Sequence, residues 1–352
     1  DPTPGSLWTL PQRTQNLISQ VSKALTPEPR LGPFPPFVDV PVVTATSAGA
    51  DVRDEHYVVG VQINGESRAY PLNMICRPDH HIVNDTLGGV PIAVTFCSLC
   101  QAPLVYRRQV DGQTLTFFVS GYLYIENMMI QDVETGSEWP QMMGEAVEGP
   151  LKGKSLDPVP WTWTDWKSWR TSHPETTLLK IPQTVEYYGH DVVASGSSLE
   201  KRYFSNLQWG FERGGKSLSW PLAELARLGA VNDSFSGLPL VIVYESRSAT
   251  IAAFDRRVAG AELTFRLEAE GLIDDQTSSV WDPVSGQAIR GPRAGQRLAP
   301  VAGVVSHNRA WRELHPESEI RTAPRTAPGG ARPSRERPTA KAGQGPPVGR
   351  AP

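Results

Sequence analysis

The sequence contains no apolar run approaching the ~20 residues a helix needs to cross a bilayer, so no transmembrane segment is expected. It has no G-x-S-x-G elbow, no H-E-x-x-H pair and no phosphate-binding glycine loop, which removes the common hydrolase, metalloprotease and nucleotide-binding readings. Its Gly-Gly pairs lie outside any βαβ pattern and read as turns. No basic face is evident in the body, so nucleic acid is not an expected partner. Acidic residues are plentiful, but spacing singles out no pair. Cysteine is scarce, with three in 352 residues. An odd number this small is no disulfide framework, and it points to a site instead.

What is present describes a globular chain of short elements. Hydrophobic residues make up 39% and charged residues 20%, as in ordinary folded domains. Gly (31), Pro (32) and ten Trp favour turns and short strands over long helices. The formal charge of −3 is unevenly spread. Residues 321–352 carry six Arg and one Lys against one Glu, a net of +6, which leaves −9 on residues 1–320. The chain begins at Asp1, and either a removed secretory leader or a trimmed chain accounts for that.

In chain order, residues 1–36 form a Pro-rich arm with one short helix expected near 12–25. From Tyr57 the pattern turns regular. HYVVGVQINGESRAYPL reads as a hairpin about Asn64-Gly65. VPIAVTFC (90–97) is a nearly continuous apolar strand, APLVYRR (102–108) a second and LTFFVSG (115–121) a third. Beyond Ile320 large apolar residues almost vanish, and the 321–352 tail reads as basic and disordered.

The second half repeats the first. GVQINGESRAYPL (60–72) matches GFERGGKSLSWPL (210–222), and VNDTLGGVPIAV (83–94) matches VNDSFSGLPLVI (231–242). Asp132, Thr135 and Trp139 match Asp274, Thr277 and Trp281; Trp169 and His173-Pro174 match Trp311 and His315-Pro316. The predicted fold class is β-rich α+β, with two homologous pseudo-symmetric halves of short antiparallel strands and a few short helices. The first repeat spans 37–180 and the second, degenerate one 210–320, with a linker over 181–209. The halves form either two domains or one body.

Duplication separates scaffold from site. The Asn-Asp turns, Gly-x-Pro breaks and tryptophans occur twice and read as architecture. The polar cluster occurs once: His80 and His81 align with Leu228 and Gly229, and Cys97 and Cys100 with Glu245 and Ser248. Joint loss of two sulfurs and two imidazoles is what a shared ligand set would show. A C-x-x-C turn between two strands puts both sulfurs on one side, ready for one metal ion or one disulfide. Thiolate with imidazole suits a zinc or copper ion. The candidate ligands are Cys97, Cys100 and His80, with His81 beside it. Met128 or Met129 offers a thioether favouring copper, and Cys76 is a further thiol. The competing readings are a plain disulfide, a redox C-x-x-C, a surface His81, and core roles for Met128, Met129 and Cys76. His173 and His315, repeated before Pro, read as structural; His56, His190 and His307 have no partner legible in the sequence.

RAYPL (68–72), HHIVND (80–85), VPIAVTFCSLCQAPLVY (90–106), FVSGYLY (118–124), the D-x-x-T-x-S-x-W run (132–139), GEAVEGPLKG (144–153) and the W-x-x-W-x-x-x-HP run (166–174) together resemble the domain-of-unknown-function family 3179. The resemblance covers about 37–320. It implies an exported bacterial or archaeal protein, hence an extracytoplasmic location, and brings no settled activity. That family has His-Glu where this chain has His80-His81, and Cys-Pro-x-Cys-Gly where this chain has Cys97-Ser98-Leu99-Cys100-Gln101. The expectation is therefore a soft-metal site in the first repeat, serving redox or metal handling. The alternative is an accessory subunit of a larger complex, docked through the arm and tail, with the C-x-x-C as a disulfide.

Overall fold

The computed structural model describes residues 34–181 and 206–322, positions 50, 77 and 126 excepted. The helix expected near 12–25, nearly all of the arm and tail, and most of the 181–209 linker lie outside the described residues. The described part is rich in short antiparallel strands and belongs to one compact unit.

In the first repeat, β1 (Tyr57–Ile63) and β2 (Glu66–Pro71) form the hairpin about Asn64 and Gly65. Both turn residues take positive φ, 50° and 87°, the two-residue turn whose twist matches that of paired strands. Pro71 leads into α1 (Leu72–Ile75), a single helical turn. A meander follows: β3 (Ile82–Leu87), β4 (Val90–Cys97) and β5 (Ala102–Arg107). β6 (Phe117–Tyr124) and β7 (Asn127–Asp132) make a second hairpin. β8 (Thr162–Asp165) enters α2 (Trp166–Ser172), whose first turn is capped by the Asp165 carboxylate accepting from the Ser168 N–H at 2.7 Å.

The second repeat redraws this plan with β9 (Leu207–Arg213), β10 (Lys216–Pro221), α3 (Leu222–Leu228), β11 (Ala230–Phe235), β12 (Leu238–Glu245), β13 (Thr250–Asp255), β14 (Phe265–Glu268), β15 (Gly271–Asp274), β16 (Val304–His307) and α4 (Asn308–Leu314). The matching extends to single bonds. The Asn84 amide brackets the backbone of Phe117 at 2.8 Å on both sides, and Asn232 brackets Phe265 at 2.8 and 2.7 Å. The indole of Trp139 donates to Asp132 at 3.0 Å and that of Trp281 to Asp274 at 2.9 Å. Trp169 lies over Gly60 and Trp311 over Gly210 so closely that a Cβ on either glycine would sit 2.2 or 2.4 Å from the ring. These bonds satisfy polar groups inside a packed interior, where leaving one unmet costs roughly 1–3 kcal/mol.

The repeats are joined through β8 and its counterpart β16. β8 pairs with β1 on one side and, at Trp163↔Ile251, with β13 of the other repeat. A sheet of nine strands therefore crosses both repeats, in the order 42–44, 177–179, β2, β1, β8, β13, β12, β11, with 299–300 on β13. The reciprocal seam is different. β16 pairs with β9 and lies beside β5, but forms no ladder with it. The residue matching Ile251 there is Pro103, which has no N–H to donate. The seam is tied at its end instead, where the His307 N–H donates to the Cys100 carbonyl at 2.9 Å. The cores mix accordingly: Trp163 and Tyr57 pack among second-repeat residues, and Trp311 packs in the cluster that holds Cys97 and Cys100.

Candidate functional site

Cys97 ends β4 and Cys100 immediately precedes β5, so one tight turn carries both sulfurs. Gln101 follows in the left-handed region with φ 53°, and its counterpart Ala249 has φ 49°. The turn thus keeps one shape in both repeats without the glycine that such a conformation favours. Both thiols are free and nearly fully buried, while Leu99 at the tip is 58% exposed.

The sulfurs are not equivalent. The Cys100 N–H points at the Cys97 sulfur across 3.4 Å. Burial pushes the Cys97 thiol up, but hydrogen bonds from the Cys100 thiol and from the backbone N–H groups of Cys100, Met128 and Leu99 outweigh it and hold Cys97 below its ordinary value. Cys100 is driven well above its ordinary value by burial and by the neighbouring Cys97 sulfur, against a weaker pull from Asn127. Cys97 is thus the readier of the two to ionise, and the thiolate is the form that attacks or ligates.

A polar network buried behind the pair fixes Cys100. The Asn127 amide donates to its sulfur at 3.3 Å and to Gln141 Oε1 at 2.9 Å, and Asn127 Oδ1 accepts the Met142 N–H at 2.8 Å. The Gln141 amide nitrogen donates to Thr95 Oγ1 at 2.8 Å and to the Ala102 carbonyl at 2.9 Å. Sequence reasoning missed Asn127, Gln141 and Thr95, although the repeat comparison held the signal. Thr95 aligns with Val243 and Gln141 with Pro283. Asn127 and Met128 sit in a hairpin extension that the second repeat lacks: Asp132 pairs with Phe117, 15 residues earlier, whereas Asp274 pairs with Phe265, nine earlier. The second repeat retains the turn in oxygen chemistry. The Ser248 N–H and hydroxyl donate to the Glu245 carboxylate at 3.0 and 2.7 Å, with Glu245 standing where Cys97 does.

Of the residues singled out by sequence, Cys97, Cys100 and Met128 share one core cluster, together with Met142. Met129 packs next door with Tyr124, Ile125 and Val147. The imidazoles are engaged elsewhere. His81 is buried and its Nε2 sits 2.8 Å from the Cys76 carbonyl, so Nε2 carries the proton and the ring is neutral. Burial lowers its pKa to about 4. His80 packs edge-on against Phe37 at 4.6 Å, with Asp79 Oδ1 at 3.6 Å from its Nδ1. Cys76 belongs to the core of β1, β2 and α1. Among the described residues, no three His, Cys, Asp or Glu side chains are gathered into a metal cage. His173 stacks on Trp169 at 3.9 Å, and His315 lies over Trp311 at 4.0 Å. His307, without a partner legible in the sequence, lines a cavity of about 410 Å³ with Leu99 and Cys100.

Fold and site define a class: a duplicated β-rich protein in which one repeat keeps a buried dithiol turn and the other an oxygen version of it. Comparison with known families agrees. The family described as a protein of unknown function, DUF3179, matches residues 34–208 and again 205–338. The chain belongs to that family and contains it twice. No curated protein matches the chain, and no solved structure does.

Proposed function

We propose that this chain is a soft-metal protein that holds monovalent copper on Cys97 and Cys100. The observation carrying this reading is the set of backbone N–H groups of Leu99, Cys100 and Met128 aimed at the Cys97 sulfur. They favour ionisation of Cys97 through backbone hydrogen bonds, and the thiolate is the metal-binding form. The surroundings favour copper over zinc. A structural zinc site is closed by four donors, and no group of even three is gathered among the described residues. Monovalent copper needs fewer and softer ones, and Met128 and Met142 place thioethers in the same cluster. On this reading the protein binds or passes on copper, in the extracytoplasmic location that the family resemblance implies.

The same adjacency supports a second reading. Two free thiols on one turn, Cys97 the readier to ionise, are also the starting state for a reversible disulfide. An accessory subunit docked through its arm and tail would use that bond only to brace the turn.

Elemental analysis and intact mass of protein purified without added metal or reductant separate the two. Copper near one equivalent, lost in Cys97→Ser, supports the copper reading. Zinc at one equivalent overturns the choice of metal. Substoichiometric copper, zinc and iron, with an intact mass two hydrogens light, replaces it with the disulfide.

A further inference from the structure

Each seam between the repeats holds a cleft, and the two clefts occupy equivalent places. The larger, of about 430 Å³, is walled by Gln62, Trp161, Trp169 and His173 of the first repeat and by Phe254 and Arg297 of the second. The smaller, of about 160 Å³, has Glu212 in the place of Gln62 and Tyr106 in the place of Phe254. The backbone keeps the same equivalence. Arg297 bridges to Gln287 as Ser155 bridges to Glu145, and Gly286 lies against Phe254 as Gly144 lies against Tyr106. Trp161, whose own counterpart is Gly303, forms a wall of both clefts, and its indole N–H donates to the Gly303 carbonyl at 3.1 Å.

The clefts have diverged in size and in charge. Met142 and Met143 line the smaller one, and the shorter Val284 and Ser285 stand in their places in the larger. Arg297 is the one charged side chain among the described residues that line the larger cleft, and its counterpart is Ser155. Its guanidinium donates to Gln62 Oε1 across the seam and to Gln287 Oε1 at 3.3 Å. Both acceptors are neutral amides, and they leave unused the rest of the five N–H donors that a guanidinium carries. The position facing Arg297 holds an acid in the other repeat, Glu212, and an amide here. Asp282 does not line the cleft, and its oxygens accept from the Ser285 hydroxyl at 2.6 Å and the Val284 N–H at 3.1 Å. His173 is buried, and burial lowers its pKa, so its ring adds no charge at neutral pH.

We propose that the larger seam cleft binds a small organic carboxylate with a flat apolar body, its carboxylate on Arg297 and its body against Trp161 and Phe254. The planar fork of a guanidinium matches a carboxylate with two parallel hydrogen bonds. Aromatic walls with a few polar groups, at the seam between two units and within the usual range of roughly 300–1,000 Å³, are the ordinary make-up of a small-molecule site. None of the three cysteines lines the cleft, so the proposal is independent of the copper reading. It also gives the degenerate second repeat a role of its own, since Arg297 and Phe254 come from it.

The test is a nuclear magnetic resonance titration of the isotope-labelled full chain with three probes that share one phenyl body: hydrocinnamate, its neutral amide, and phenylpropylamine. The signal followed is the Trp161 indole N–H, identified by its loss in Trp161→Phe. Hydrocinnamate should shift it saturably, the amide should bind about tenfold more weakly, as loss of a hydrogen bond between charged groups implies, and the amine should not bind. Arg297→Gln should bring hydrocinnamate down to the level of the amide. Gln62→Glu, which installs the acid of the other repeat beside Arg297, should do the same, and Glu212→Gln should match wild type. Equal affinity for the three probes, no shift of Trp161 by any of them, or hydrocinnamate binding undiminished in Arg297→Gln and Gln62→Glu would each overturn the proposal. Should either variant fail to fold, the ranking of the three probes on wild type decides.

Discussion

The backbone N–H of His307 donates to the carbonyl of Cys100 across 2.9 Å, and this bond ties the second repeat to the only turn of the chain that carries two cysteines. In the mirror seam Ile251 pairs with Trp163 in a ladder, whereas the matching position here is Pro103, which has no N–H to offer one. The cysteine turn therefore packs against and bonds to the second repeat, although its cysteines belong to the first.

The glycines under the tryptophans give the clearest stability test. A Cβ at Gly60 would meet Trp169 at 2.2 Å, and one at Gly210 would meet Trp311 at 2.4 Å. Gly60→Ala and Gly210→Ala should each destabilise by about 3 kcal/mol in denaturant unfolding, at the upper end of overpacking costs. Because Trp311 also packs beside the cysteines, Gly210→Ala should additionally speed alkylation of Cys97 and Cys100. Equal alkylation rates in the two variants would argue against a core shared across the seam.

The extension unique to the first repeat supplies the second prediction. Asn127→Ala leaves the Met142 N–H without its acceptor and Gln141 Oε1 without that donor, all in a buried network. Stability should fall by about 1–3 kcal/mol. The Cys100 thiol, no longer held by the Asn127 amide, should ionise at still higher pH in a thiolate-absorbance titration. A Cys100 titration unmoved by the substitution would show that the amide does not control the sulfur.

Acid stability should report on His81. Its pKa falls to about 4 in the fold because burial disfavours the charged ring, against 6.5 for the free side chain. The unfolded chain then takes up the proton first. Stability contributed by the neutral ring is intact above about pH 6.5 and drains as pH falls to about 4, by roughly 3 kcal/mol in all. His81→Gln should lack that part of the acid slope. An identical slope in unfolding free energy between pH 7 and 4 would refute the assignment.

Much of this architecture could be read from residue order. Asn64-Gly65 marks its hairpin because both positions need positive φ, and the apolar run 90–97 is a strand buried on both faces. The paired tryptophans, Asp132 with Asp274 and Asn84 with Asn232 announce the duplication because each serves the same bond twice. The cysteine turn was visible for the same reason, as the position where the copies differ. What could not be read was the partner across the seam. His307 lies more than two hundred positions from Cys100, and only the crossing of β8 and β16 brings the helix-capping residue of one repeat to the turn of the other. Asn127 escaped notice because the six-residue extension has no counterpart to be compared with. His81 looked like a ligand by spacing, yet the turn after α1 presents the Cys76 carbonyl to its ring.

The central claim, a copper-binding thiolate pair, is tested most directly by titrating the reduced full chain with monovalent copper against a chromophoric chelator and comparing wild type with Cys97→Ser and Cys100→Ser. The account predicts one equivalent bound by wild type, with loss of binding in both variants and unchanged unfolding midpoints for the metal-free proteins. No uptake by wild type, or equal uptake by all three proteins, would contradict it.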